Sequence, residues 1–305
     1  MGSFWEQIVD SLNAINGVHT GYRAVHAKGI VCGGSFSATP EAAVLSRAAH
    51  LQGDAVPVTV RFSNASGNPH TSDANPIVGR GMGLKFHLPD GESTDIVCVP
   101  LKVFMVRTPE DFLAFTKART PDPETGQPDP EKLGAFVAEH PETLAALEAG
   151  LPRVAPTTSF ATSDYNALHA FALVDAEGER HWGRLGWVPE AGVEFLTPDQ
   201  VDAADRDYLR AEISERLARG PVRFSLQFTL AAEGDSLEDP TAFWEGNREL
   251  VTLGTLEVTE VTGDPDDASL ITDPTNLTDG VEPSDDKILQ ARSHAYSVSI
   301  ERRMA

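Results

Sequence analysis

The chain has 305 residues, enough for one large domain or two ordinary ones and enough to enclose a prosthetic group, with 41% hydrophobic and 23% charged residues, the balance of a soluble globular protein. Its 24 basic and 46 acidic residues give a formal charge of -22, a surface that repels nucleic acid and anionic lipid, so neither is expected as a partner. No run approaches the roughly 18 apolar residues of a membrane helix, and two cysteines can build neither a disulfide framework nor a tetrahedral zinc site.

The N-terminus, residues 1–16, lacks the basic and apolar regions of a secretory leader, so cytoplasmic residence is the expectation. It reads as a short amphipathic helix with Phe4, Ile8 and Leu12 at four-residue spacing. Residues 57–63 alternate: Val58, Val60 and Phe62 share one face, Arg61 and Ser63 the other, a strand with one apolar and one polar side. Residues 83–88 repeat the alternation with Leu84, Phe86 and Leu88. The run 95–106 is β-prone, with a kink or strand edge expected at Pro100. Cys98 and Cys32 are expected as free thiols rather than a bridge.

Residues 109–118 open with Pro109 and two acids, a good first helical turn. Residues 130–149 are helical in pattern with a break at His140-Pro141. A hairpin over 171–188 turns at Glu177-Gly178, and one long helix is expected over 198–219, with Thr197 as its cap and Gly220-Pro221 as its stop. Strands follow at 221–230 and 249–261, and then a long acidic connector, 262–286. Successive strands with antiparallel pairing favour an α+β architecture, an antiparallel sheet or barrel with helices outside. Arg61 and Ser63 opposite an apolar face suggest a barrel with a polar or ligand-lined side.

Two short segments carry chemistry. In Arg23-Ala24-Val25-His26-Ala27-Lys28-Gly29, small neighbours and a following glycine can present the His26 ring freely, and histidine is the usual acid–base group near neutral pH. Taken alone, His26 is one of nine histidines, most of which serve structure. In Arg292-Ser293-His294-Ala295-Tyr296, the spacing of four places arginine and tyrosine on one helix face. A guanidinium beside a phenol favours the phenolate, a hard ligand suited to ferric iron. Taken alone, that pair is an arginine stacked on a surface tyrosine. His19, His87, His169 and His294 read as structural.

The ordered set RAVHAKG, VRFS, RGMGLKF, VFMVRTPEDF and R-x-x-x-Y resembles the catalase superfamily, most closely its small haem peroxidases. The resemblance covers most of 17–117 and returns at 288–303, with a looser match through NALHAFALVD. It implies a single domain over 1–305 built on a catalase-like antiparallel β-barrel around haem b. It further implies that His26 is the distal acid–base residue, oriented by Ser63, with Val25 lining the distal channel. Arg23, Arg61 and Arg303 match the arginines that hold the haem propionates, and Phe112 matches an aromatic near the haem face. Arg292 and Tyr296 match the proximal pair, with Tyr296 on the iron. One departure matters: the family's distal asparagine, in a G-N-N-T-P stretch, falls on Val99. The expected activity is therefore cleavage of organic hydroperoxides and hydrogen peroxide with a small-molecule reductant, and weak dismutation. Catalase proper, a hydroperoxide isomerase or allene oxide synthase, and a haem-binding or haem-sensing protein are the alternatives. A homodimer is expected from the family and from base rates.

Overall fold

The computed structural model describes residues 2–263 and 270–304. In chain order it has α1 (Phe4–Asn16), β1 (Gly29–Ala38), α2 (Pro40–Leu45), β2 (Val56–Asn64), β3 (Arg80–His87), β4 (Ser93–Cys98), α3 (Pro109–Ala118), α4 (Pro130–Glu139) and α5 (Pro141–Gly150). Then follow β5 (Tyr165–Val174), β6 (Arg180–Pro189), α6 (Pro198–Ala203), α7 (Tyr208–Arg219), β7 (Val222–Leu230), β8 (Leu250–Val261), β9 (Val281–Pro283) and α8 (Lys287–Met304).

The strands form one antiparallel sheet in the order β4-β3-β2-β1-β8-β7-β6-β5-β9. It curls until the end of β4 meets β5, where Val99 and Asn166 exchange both backbone hydrogen bonds, at 3.1 and 2.7 Å. This is the α+β architecture expected, a barrel-like sheet with helices outside. Alternation fixes which side each residue faces. Val58, Val60 and Phe62 point into a core shared with Leu84, Phe86, Phe224, Phe228, Trp187 and Leu256. Arg61 and Ser63 point outward, yet both are buried, because chain N-terminal to β1 covers this side. The outer face of β2, β3 and β4 is therefore a floor for something else rather than a solvated surface.

Three elements depart from the sequence pattern. β1 carries no strand signal because Gly29, Gly33 and Gly34 break any alternation. Gly34 sits at a bulge where an added Cβ would collide with the Glu257 carbonyl, so glycine is required by the close approach of β8. The single helix expected over 198–219 is two, α6 and α7. The Arg206 carbonyl accepts from Asp73 N–H (2.8 Å) and from Lys28 Nζ (3.1 Å), so it cannot serve a continuous helical ladder. The connector 262–286 is not wholly irregular: β9 adds three residues to the edge of β5, pairing Phe171 with Pro283 and Leu173 with Val281. Its residues 264–269 lie outside the described residues. The 95–106 run ends as a strand at Cys98, ahead of Pro100. Cys32 and Cys98 are free and buried in the barrel.

A smaller apolar cluster outside the barrel joins Val106, Phe115, Phe136 and Ile288, tying α3 and α4 to the first turn of α8. α1 lies on the same side. Its Ser11 shares a buried 2.8 Å hydrogen bond with Thr116, its Asp10 pairs with Arg302, and its Trp5 stacks on His294 with ring centres 4.9 Å apart.

Candidate active site

Four strand positions form one row across the outer face. Ser63 pairs with Gly81, and the register Met82–Cys98 puts Gly81 opposite Val99, which in turn pairs with Asn166. Directly paired residues share a face, so Ser63, the bare Gly81 backbone, Val99 and Asn166 all look the same way. His26 rests on this row. Its Nδ1 lies 2.9 Å from Ser63 Oγ, and a Cβ at Gly81 would come within 2.5 Å of its Cε1. Gly81 thus has no side chain because the imidazole occupies that place.

The His26 backbone is held against its preference, with φ at 58°. Arg61 does much of the holding: Nη1 donates to the His26 carbonyl at 3.0 Å and Nη2 to the Ala27 carbonyl at 3.2 Å. Lys28, two residues on, is buried with its ammonium 2.8 Å from both Asp73 and Asp207, which anchors the loop to α7. Ser63 Oγ also faces the Gly81 carbonyl at 3.5 Å. With its hydrogen turned there, the hydroxyl accepts from Nδ1–H and leaves the lone pair on Nε2. His26 is half-buried, and its surroundings are dense. Burial, and then the charges of Arg61, Arg292 and Arg23, push its pKa down to about 3. The imidazole is neutral at any physiological pH.

Arg292 brings α8 into the same electrostatic neighbourhood. Its guanidinium donates to Tyr296 Oη from Nε (3.1 Å) and Nη2 (2.6 Å), and from Nη1 to His169 Nε2 (3.3 Å). His169 in turn donates from Nδ1 to Asp286 Oδ2 at 2.6 Å, and both are fully buried. Burial lowers the His169 pKa, although Asp286 opposes the shift. A neutral His169 can therefore donate to the carboxylate and accept from Arg292 at once. Asp286 also caps α8, its Oδ1 accepting from the Ile288 and Leu289 amides.

His169 reaches this position through a bulge. β5 advances from Asn166 to Ala170 while β6 moves only from Gly186 to Arg184, and Leu168 within the extra chain has φ of 68°. Among the described residues, His26 and Leu168 are the only non-glycines with positive φ. Backbone strain is confined to the two histidine-bearing segments of the site, where functional strain is usually found.

Beyond Leu289 no described side chain of α8 is fully buried, although most of them as far as Ile300, Arg292 and Tyr296 included, are half-buried. A helix packed through its first turn and along α1, with a half-covered face and a phenol oxygen presented by two guanidinium N–H groups, suits a flat prosthetic group. The donor set fits: one oxygen ligand on α8, and Arg23 and Arg61 as cations near His26.

A model of the catalase family matches residues 6–305. The chain belongs to the catalase family. It is 38% identical over 300 residues to a catalase-related peroxidase of Mycolicibacterium paratuberculosis, covering 98% of this chain and 94% of that protein. It is 37% identical over 302 residues to a catalase-related peroxidase of Synechococcus elongatus, covering 98% and 88%. A fungal catalase superposes with a TM-score of 0.83 at 21% identity, over 97% of this chain and 62% of that one, which shows the fold.

Set in the catalase-family frame, the residues singled out by sequence fall into two groups. Ser63 and Arg61 both contact His26, and the neighbouring Val25 is half-buried. Arg23 reaches across to the Leu270 carbonyl at 2.7 Å. Arg292 and Tyr296 form the second group. Phe112 stands with it: its ring is 5.8 Å from that of Phe104, which lies 6.3 Å from His169. Arg303 is seven residues beyond Tyr296 on α8, about 10 Å along the axis and on a similar face. Sequence reasoning misses the parts played by Gly81, His169 and Asp286. Signals for two of them exist: a glycine inside a strand implies close approach, and a histidine inside the apolar run NALHAFALV implies a buried partner.

Proposed function

We propose that this chain is a haem-dependent peroxidase of the catalase family, which cleaves the O–O bond of organic hydroperoxides and hydrogen peroxide. Membership of the family implies haem, and we read it as haem b within a single domain spanning 1–305. Tyr296 would hold the iron, Arg23, Arg61 and Arg303 the propionates, and Phe112 would flank the ring, with Val25 on the distal side. When bound, the haem group as a whole, iron and ring together, would supply the two electrons that break the O–O bond. A small-molecule reductant must then restore them. The reading places the protein in the cytoplasm, as a homodimer; no described helix is long and apolar enough to cross a membrane.

The protein's own residues handle the proton. The neutral His26 ring, its Nδ1 fixed by Ser63, offers Nε2 to the hydroperoxide O–H. The same nitrogen returns that proton to the departing oxygen, so hydroxide or alkoxide never leaves unprotonated. Arg61 and Lys28 keep the loop in the backbone shape that lays the ring on Gly81. On the other side, Arg292 holds Tyr296 Oη as an acceptor, and His169 and Asp286 hold Arg292.

The observation that carries this reading is the neutral His26, locked on Ser63 and Gly81, within electrostatic reach of the arginine that grips Tyr296. A mere haem carrier has no use for a strained, neutral imidazole beside a hydroxyl. Val99 favours peroxidase over dismutase: it shares the row with Ser63 and Gly81, but its side chain neither donates nor accepts a hydrogen bond. The test is to run peroxidase and oxygen-electrode assays side by side on hydrogen peroxide and cumene hydroperoxide. Turnover of both with an added phenol, and little oxygen release, is expected. A preparation with a full Soret band and no turnover of either would refute it.

A further inference from the structure

The row that carries His26 does not end at Val99. Its next member, Asn166, is the first polar side chain on the far side, and its amide is already committed. Asn166 Oδ1 accepts from Lys102 Nζ at 2.9 Å, and Nδ2 donates to the Pro100 carbonyl at 3.3 Å. Lys102 also lies 3.8 Å from Asp164 Oδ2. Arg153 pairs closely with the same carboxylate and donates from Nε to the Pro100 carbonyl at 2.6 Å. Two cations thus share one carboxylate, leaving local positive charge on a chain whose net charge is -22.

The direction of this cluster matters. β2 and β4 run parallel, each antiparallel to β3, so Arg61 precedes the row where Lys102 follows it. The Lys102 cluster therefore lies at the opposite end of the floor from Arg61. Two interstrand spacings separate Gly81, under the His26 ring, from Asn166, about 10 Å. The half-buried side chains near this line are apolar: Val99, and Val154, whose Cγ1 would meet a Cβ at Gly79 at 3.1 Å with Cδ of the buried Pro100 alongside. The Lys102 side chain is 53% exposed, so it can turn from Asn166 toward an incoming anion.

We infer that Lys102, backed by Arg153, anchors the carboxylate of a carboxylate-bearing alkyl hydroperoxide whose peroxide group reaches His26 across the apolar side chain of Val99. The inference rests on the peroxidase reading and names its substrate class: an alkyl chain with a hydroperoxide and, about 10 Å away, a carboxylate. Neutral hydroperoxides lack the second contact. Acidic substrates are otherwise repelled by the overall charge, so the local cluster supplies the discrimination.

The experiment compares linoleic acid hydroperoxide with its methyl ester on the purified haem-loaded enzyme. The ratio of kcat/KM, acid over ester, is expected to be roughly fivefold, the scale of a half-exposed ion pair. It should fall to about one in Lys102→Met and be restored in Lys102→Arg; being a ratio within each enzyme, it is insensitive to folding or haem loading. A wild-type ratio of one, or a ratio unchanged in Lys102→Met, overturns the inference. Calorimetry with laurate gives a readout without turnover: binding should weaken roughly fivefold in Lys102→Met, and equal binding by both proteins overturns it. Failure to turn over cumene hydroperoxide would instead strike the peroxidase reading, while laurate would still report on Lys102.

Discussion

Arg292 and Tyr296, one helical turn apart, are joined by two hydrogen bonds of 3.1 and 2.6 Å, both donated by the guanidinium to the phenol oxygen. The pair is positioned from outside its own helix, since Arg292 Nη1 also rests on His169, and His169 on Asp286. Asp286→Asn should therefore act at a distance. The apoprotein is expected to lose about 2 kcal/mol, the scale of a buried hydrogen bond to a charged group, measured by chemical unfolding. The haem-loaded variant should show a shifted ferric spectrum, and Tyr296→Phe should in addition retain haem poorly. A Tyr296→Phe protein with wild-type spectrum and haem content would rule out tyrosine as the iron ligand.

His26→Ala should slow the peroxide-driven change in the Soret band by roughly 10² or more, the usual weight of a general acid–base group. Gly81→Ala is expected to approach the same loss by another route. Its methyl would sit 2.5 Å from His26 Cε1 and 2.9 Å from Ser63 Oγ, so the ring must leave its place. Stopped-flow rates that match wild type in Gly81→Ala would show that the ring position on this floor is unimportant.

The depressed pKa of His26 makes a pH prediction with a definite sign. An unshifted histidine, near 6.5, would be almost wholly protonated at pH 5 and its base function cut roughly thirtyfold. His26, held down to about 3 by burial and three arginines, remains neutral there. The second-order rate with peroxide should therefore change less than about twofold between pH 7 and pH 5. A descending limb centred near 6.5 would contradict the buried, neutral ring.

Why some of this is readable in sequence and some is not follows from the kind of constraint involved. Alternation at Val58, Val60 and Phe62 announces both faces of β2, which is enough to put Ser63 and Arg61 together on the side where His26 lies. The four-residue step from Arg292 to Tyr296 likewise contains its own geometry. Local patterns cannot reveal β1, whose Gly29 answers to β2 and Gly34 to β8, or the break between α6 and α7, which answers to Lys28 nearly 180 residues away. His169 and Asp286 meet across 117 residues and a bulge. Gly81 is defined by what lies over it, and no property of a glycine names its occupant.

Val99→Asn tests the balance between the two fates of hydrogen peroxide. Position 99 shares its face and row with Ser63 and Gly81, so an amide there would enter the space beside His26. Oxygen release from hydrogen peroxide should rise several-fold, about the effect of one well-placed hydrogen bond on the rate, with peroxidase turnover of cumene hydroperoxide reduced. No gain on the oxygen electrode would mean that the apolar residue at 99 is not what limits dismutation.

The barrel interior offers a test that is independent of the site. His50 is buried between Phe36 and Phe86, with ring centres 6.5 and 4.8 Å away, and its Nδ1 has no hydrogen-bond partner among the described residues. Burial lowers its pKa to about 4. The unfolded chain takes up a proton at His50 near pH 6.5 whereas the folded chain resists until about pH 4, so acid favours unfolding through that window and stability falls as pH falls. His50→Leu removes the titrating group and keeps an apolar filler of similar size. Relative to wild type, the variant should gain about 2–3 kcal/mol on going from pH 7 to pH 4.5. Guanidinium unfolding at the two pH values measures the difference directly. An unchanged acid slope in His50→Leu would mean that His50 takes up its proton equally in both states and that the barrel core admits the charge.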